Sequence, residues 1–208
     1  MTVAAKPDAK QRLIDSAANL FHSHSYGSVG VQEICEAANV RRGSFYYYYP
    51  SKHDLAIAAL DKSWHDLKRH VFDPAFSNGS PPLEQFRTWL QRVAEYQHQL
   101  RGRLGSTPGC PIANLGEELA TTEPAIREQA DSLLDEMAAY FEAALTRAVQ
   151  GGDLPEIETE AAARRILAFI EGSLLLAKMR DDPKLITSLG LDVKALAVPS
   201  PTNETARP

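Results

Sequence analysis

The sequence predicts an all-α fold in two parts, a three-helix head followed by a larger helical body. Three observations predict it. Apolar residues recur at three- and four-residue spacing along nearly the whole chain, as amphipathic helices require. Two short helical stretches meet at a tight turn inside residues 29–54, VGVQEICEAANVRRGSFYYYYPSKHD. The charge is also divided. The 208 residues carry a net −5, yet residues 1–53 hold six Lys/Arg against four Asp/Glu, net +2, while the remainder holds sixteen against twenty-three, net −7.

The elements follow in order. Leu13, Ala17, Leu20 and Phe21 stripe a first helix that should pack on the two motif helices. Val31, Ile34 and Ala38 give the second helix one apolar face, with Cys35 at a small-residue core position. Asn39 suits the left-handed turn that most residues avoid, and Val40 anchors that turn in the core. A third helix opens at Arg41 and is stopped by Pro50. Ser51 and Asp54 form a capping-box-like pair. They open a helix expected to run to Phe72, ahead of Asp73-Pro74, and to link head to body. Asn78-Gly79-Ser80-Pro81-Pro82 breaks the chain. Leu83, Phe86, Leu90, Val93 and Leu100 then stripe a helix ending near Arg101-Gly102.

Pro111 fits the first position of a short helix, which puts Cys110 at its cap. Thr122 with Glu123-Pro124 starts a long helix through Leu133, Met137, Phe141 and Leu145 to Gly151-Gly152. Thr159 opens another, carrying Ile166, Phe169, Ile170 and Leu174 to a stop near Asp182-Pro183. The organisation is thus 1–53 for the head, 54–196 for the body, and an aperiodic tail over 197–208, with three prolines, expected to be disordered.

The third helix carries the chemistry. Arg41 and Arg42 lie in its first turn, where the second helix of a helix-turn-helix meets base edges and phosphates in the major groove. Their guanidinium forks match guanine or phosphate oxygens. Gly43 leaves room for close backbone approach, and Ser44 can donate to a base or a phosphate. Four tyrosines in a row cannot share a face. Phe45 and Tyr49, four apart, are assigned to the core, which leaves Tyr46, Tyr47 and Tyr48 for DNA. The acidic total is no obstacle, because phosphate contact is governed by charge within the Debye length of ~8 Å.

The stretch Ile34-Cys35…Ala37-Ala38-Asn39-Val40-Arg41-Arg42-Gly43-Ser44-Phe45-Tyr46-Tyr47-Tyr48-Tyr49-Pro50-Ser51-Lys52 resembles the amino-terminal signature of the TetR family of bacterial transcriptional regulators. That signature runs I-A-x-x-A-G-V-S-x-G-x-[LF]-Y-x-[HY]-F-x-[ST]-K. The resemblance implies DNA contacts at Arg41, Arg42, Gly43, Ser44, Tyr46, Tyr47, Tyr48 and Lys52, with Gln32, and Gly30 through its backbone, as weaker candidates. Cys35 stands in place of Ala, Asn39 of Gly, Arg41 of Ser or Thr, and Tyr49 of Phe. Arg41 forfeits a side-chain helix cap, typically worth ~1 kcal/mol.

The resemblance further implies a homodimer built on the last two long helices, with double-stranded operator DNA and a small-molecule effector as the other partners. Phe141, Leu145, Ile166, Phe169 and Ile170 are its candidate interface residues, with Ala168, Gly172 and Ser173 permitting close helix approach. Cys110 is the candidate sensor, because the positive end of its helix dipole favours thiolate and Arg101 and Arg103 add positive potential. TetR-like repressors that answer oxidants or electrophiles carry a cysteine in a similar segment. Phe86, Trp89, Tyr96, Met137 and Phe141 are candidates to line an effector pocket.

Other classes fit poorly. His22 with His24, and His65 with His70, diverge on their helices, so no metal and no cofactor are expected, and the six histidines read as solvated side chains. No P-loop, dinucleotide fingerprint or nucleophile elbow is present, which argues against an enzyme. The most apolar stretch, Ile166 to Ala177, contains Glu171 and is too short to cross a membrane. Two distant cysteines and the lack of an apolar leader place the chain in a reducing cytoplasm. The competing reading is a helical ligand- or partner-binding protein without operator affinity. Salt-dependent binding to nonspecific duplex separates the two.

Overall fold

The computed structural model describes residues 8–198, and the described residues contain eleven α-helices and no strand. In the head, α1 (Ala9–Ser23) is capped by Asp8, whose carboxylate accepts from the Gln11 amide at 2.7 Å. A 3-10 turn (Tyr26–Ser28) leads to α2 (Val31–Ala38) and α3 (Arg42–Tyr48). Asn39 is left-handed at φ 50° and ends α2, as its place in the sequence predicts. Arg12 ties α1 to this corner by donating to the Ala38 carbonyl at 3.0 Å. Arg41 caps α3 without a side-chain hydrogen bond, so the forfeited cap is real.

The helix that leaves the head runs further than the sequence predicts. α4 (Lys52–Leu67) passes into a π turn (Lys68–Phe72) and then α5 (Asp73–Phe76) without a break. Pro74 should stop a regular helix, because its ring opposes the carbonyl four residues back. The wider π turn relieves that conflict. The segment also crosses from head to body, since Leu55 and Ala56 are buried at one end and Val71 and Phe72 at the other.

In the body, α6 (Pro82–Leu104) runs about a turn past Gly102 to Gly105, whose φ of 86° supplies the left-handed stop. α7 (Pro111–Leu119) is short; α8 (Pro124–Gln150) and α9 (Thr159–Arg180) are long and pack on each other. The centre of the body is aromatic, with the Trp89 and Phe141 rings 4.7 Å apart and Phe72, Phe76 and Phe86 around them.

Two short helices close the described chain, α10 (Lys184–Ser188) and α11 (Val193–Ala197). The expectation of a disordered tail from Ala197 is corrected at its start. Ala197 is fully buried, and Arg165 of α9 donates to the Leu196 and Ala197 carbonyls at 2.7 and 3.0 Å. Those carbonyls lack partners within α11, and the guanidinium supplies them. Residues 199–208 of the expected tail lie outside the described residues.

Among the described residues no helix is long and apolar enough to cross a membrane.

Candidate functional site

On α3 the tyrosines divide much as the helix period requires. Phe45 is fully buried and Tyr49 nearly so, while Tyr46 is 49% and Tyr47 82% exposed. Tyr48 is half-buried and packs its ring edge-on against Tyr47 at 5.0 Å, so it is less available to a ligand than its neighbours. Arg41, Arg42 and Gly43 are exposed and Ser44 is half-buried. Arg42 reaches the Tyr46 hydroxyl at 3.4 Å, which sets a guanidinium beside an exposed phenol.

Two assigned side chains are already engaged. Gln32 is exposed but donates to Glu36 at 2.7 Å. Lys52 folds back, donating to the Tyr26 and Val29 carbonyls at 2.8 and 2.9 Å and lying 3.9 Å from the Tyr26 ring centre. Two of its three N–H groups therefore fasten the loop before α2.

Head and body are joined through α7 and the loop before it. Glu118 accepts from the Tyr26 and Gly27 amides at 2.7 and 2.8 Å, one oxygen each. His22 of α1 donates from Nε2 to the Gly109 carbonyl at 2.8 Å, and Gln97 of α6 donates to the same carbonyl at 2.9 Å while accepting from the Gly109 amide at 3.1 Å. The expectation that every histidine is solvated fails here. Burial, aided by Lys178 and Arg103, holds the His22 imidazole down at about 4, against the pull of its bond to Gly109. His22 is thus a neutral structural tie.

This carries a stability prediction. An unfolded histidine takes its proton near 6.5, whereas folded His22 refuses it until about 4. Its stabilisation is complete above pH 6.5 and is lost as pH falls toward 4, by at most about 3 kcal/mol. Glu171 works in the opposite direction, because its raised pKa favours the folded state as pH falls. Comparing urea midpoints of wild type and His22→Gln at pH 7 and pH 5 isolates the histidine. The wild type should lose more stability on acidification than the variant.

The body encloses a narrow apolar cavity of about 30 Å³. Of the candidates, Trp89, Tyr96, Met137, Phe141 and Cys110 line it, together with Phe72, Val93, Leu167, Ile170, Leu174, Gln97 and Glu171. Phe86 does not line it. It lies one turn earlier on α6, edge-on to the Phe76 ring and tilted against that of Phe141. Two lining groups went unassigned in the sequence. Gln97 belongs to the Gly109 grip, and Glu171 was visible as the lone acid in the most apolar stretch.

Cys110 sits at the α7 cap, with the Ala113 amide donating to Sγ at 3.5 Å. Its expected thiolate character is overturned. The residue is 6% exposed, and burial followed by the nearby Glu171 charge pushes the thiol well above its ordinary range. A helix dipole stabilises an anion by ~1 kcal/mol, less than the cost of burying a charge. The arginines do not help: Arg101 is bound to Asp181 at 3.0 and 2.8 Å, and Arg103 lies toward His22.

The candidate dimer residues are corrected in part, and of them only the small residues Ala168 and Gly172 are exposed. Phe141, Leu145, Ile166, Ile170 and Ser173 are buried inside the protomer, and Phe169 is half-buried. The outward face of α9 instead presents Ala168, Gly172, Leu175, Leu176 and Met179, the last three 50%, 45% and 76% exposed. The sequence conceals this because α9 is apolar on both sides. Among the described residues no cluster of His, Cys, Asp or Glu could hold a metal.

Comparison with known proteins agrees with this geometry. Residues 13–59 match the model of the bacterial regulatory proteins of the tetR family, and residues 82–189 match the tetracyclin repressor-like C-terminal domain. The transcriptional regulator AcuR of Cereibacter sphaeroides is 30% identical over 184 residues, covering 85% of this chain and 82% of its own. The crystal structure of regulatory protein TetR from Rhodobacter sphaeroides superposes with a TM-score of 0.81 at 28% identity, over 91% of this chain and 99% of the other. Escherichia coli NemR in its reduced form shares the fold, with a TM-score of 0.77 at 20% identity over 93% and 100% of the two chains. The chain belongs to the TetR family of transcriptional regulators and is not an enzyme.

Proposed function

We propose that this regulator is a cytoplasmic homodimeric repressor that holds a pseudo-palindromic operator through α3 and releases it when a small molecule occupies the body cavity. The observation that carries the reading is the span of α7. One end of this nine-residue helix places Cys110 in the cavity wall, and the other places Glu118 on the head. At ~1.5 Å per residue it is a rigid rod of about 13 Å. An occupant that displaces Cys110 therefore also strains the Glu118 and Gly109 contacts that set the head's position. A shift in head spacing unmatches two major grooves one turn, or a multiple, apart.

Arg41, Arg42, Gly43, Ser44, Tyr46 and Tyr47 form the DNA face, with Tyr48 and Gln32 at its margin and Lys52 bracing the loop beneath. Cys110 senses electrophiles or oxidants, and the outward face of α9 with α8 meets a second copy. The exposed cationic and phenolic face of α3 disfavours a partner-binding protein without operator affinity.

The test is a mobility shift with duplex flanking the protein's own coding region, with and without a mild electrophile. The wild type should bind and then release on treatment, Cys110→Ser should stay bound, and Glu118→Gln should bind but release less completely. Equal release by Cys110→Ser makes the effector non-covalent. A wild type that binds no flanking duplex, even at low salt, overturns the operator assignment.

A further inference from the structure

Resting on the reading of the cavity as the effector site, we propose that Glu171 is the proton acceptor for Cys110 in its addition to a small, uncharged α,β-unsaturated carbonyl compound, with Trp89 holding the carbonyl oxygen. Three observations meet there. Cys110 and Glu171 line both the inner cavity and the shallow groove outside it, so they share the wall between solvent and interior. Glu171 lies close enough for its charge to act on the thiol, and it forms no ion pair among the described residues. Trp89 is 2% exposed, lines the same cavity, and its buried indole N–H has no acceptor in the described chain. A buried donor of that kind costs stability until something accepts from it. A carbonyl oxygen does so.

The size of the cavity selects the chemistry. About 30 Å³ is far below the ~150 Å³ that holds benzene in an engineered apolar cavity. An occupant has only a few non-hydrogen atoms, and the binding energy available per atom has a ceiling, so contact alone holds it weakly. A covalent bond to the cysteine removes that limit. The apolar walls and the Glu171 charge favour an uncharged reagent over an anionic one.

The step balances without an external oxidant or reductant. The Cys110 sulfur forms a bond to the β-carbon, the carbon–carbon π bond breaks, and its electron pair moves through to the carbonyl oxygen as an enolate beside the Trp89 N–H. The thiol proton goes to Glu171 and returns to the α-carbon, so the net change is addition of S–H across the double bond. A free thiolate next to an ionised Glu171 would put two negative charges together. Transfer to Glu171 keeps a single charge throughout. Burial raises Glu171 to about 7, which makes it a base near neutral pH. The titratable groups facing this pair are Tyr96 of α6, Glu117 of α7 and, on the same helix as Glu171, Lys178. α4 and α8 present only apolar side chains to the cavity.

The experiment follows the Cys110 adduct by intact mass and peptide mapping on the full chain, with methyl vinyl ketone as the probe, from pH 6 to pH 9. The wild-type rate should rise with a midpoint near 7. Glu171→Gln should react at least tenfold more slowly at pH 7.5 and lose that midpoint, with a melting temperature no lower than that of the wild type. Trp89→Phe should slow the ketone severalfold while leaving reaction with methyl methanethiosulfonate, which has no carbonyl, unchanged. A Glu171→Gln rate and pH profile equal to wild type overturns the proposal, and so does a wild type that never forms a Cys110 adduct. Operator release by some other molecule would leave the regulator reading standing while this one fell.

Discussion

Arg42→Ala and Tyr47→Ala should each abolish operator binding at working concentrations while leaving the helical content and melting temperature unchanged. Both side chains project from α3 into solvent, with Tyr47 82% exposed and Arg42 touching only the Tyr46 phenol, so truncation costs the fold little. On DNA each contact is worth ~1–3 kcal/mol. A two-fold dimer loses that contact twice, which lowers affinity by roughly a hundredfold or more. The two substitutions are also expected to differ in kind. Loss of a guanidinium from a phosphate reduces the slope of affinity against salt, whereas loss of a tyrosine ring from a base edge does not. Phe45→Ala is the contrasting control. Phe45 is fully buried under α3, and its truncation should cost ~3–5 kcal/mol and unfold the head. Titrations by fluorescence anisotropy at several salt concentrations, paired with thermal melts, check all three. Full affinity in both surface variants would remove α3 from the operator.

Leu175→Glu combined with Met179→Glu should split the proposed dimer into folded monomers. These side chains are one turn apart on the outward face of α9, half and three-quarters exposed, so the protomer does not need them for its core. In an isologous interface each substitution is counted twice and meets its own copy across the axis. Four carboxylates with no cations to pair them cost several kcal/mol in a buried interface. Dimerisation should weaken by at least a hundredfold, with secondary structure unchanged. Operator affinity falls with it, because a monomer loses the effective concentration that the first half-site confers on the second. Sedimentation velocity reads the first effect and a mobility shift the second. A double variant that sediments as a dimer would place the interface elsewhere.

The head was legible because its instructions are local. Asn39, Pro50 and the Ser51–Asp54 pair act on the residues beside them, and the structure obeys each. Phe45 and Tyr49 could be assigned to the core by helical spacing alone. The site in the body was legible only in part. Trp89, Tyr96, Met137 and Phe141 follow from the same periodicity, and the cap position of Cys110 follows from Pro111. The behaviour of that thiol is reversed by burial under distant parts of the chain and, second, by the charge of Glu171, sixty-one positions away, which no local pattern reveals. His22 fails for the same reason, since its environment is the Gly109 loop, eighty-seven positions on. On α9 the difficulty is different. A helix apolar on both sides needs two partners, and periodicity does not say which face meets its own chain.

Beside the Lys62–Asp15 and His53–Glu123 pairs, the tie between head and body contains two further kinds of bond, an uncharged imidazole on a carbonyl and a carboxylate on two backbone amides. Neither bond pairs opposite full charges, and both act at hydrogen-bond range, well inside the distance over which mobile ions screen. Phosphate contacts, by contrast, release counterions and weaken steeply as ionic strength rises. Rising ionic strength is therefore expected to loosen the proposed phosphate contacts of α3 before it loosens these two ties.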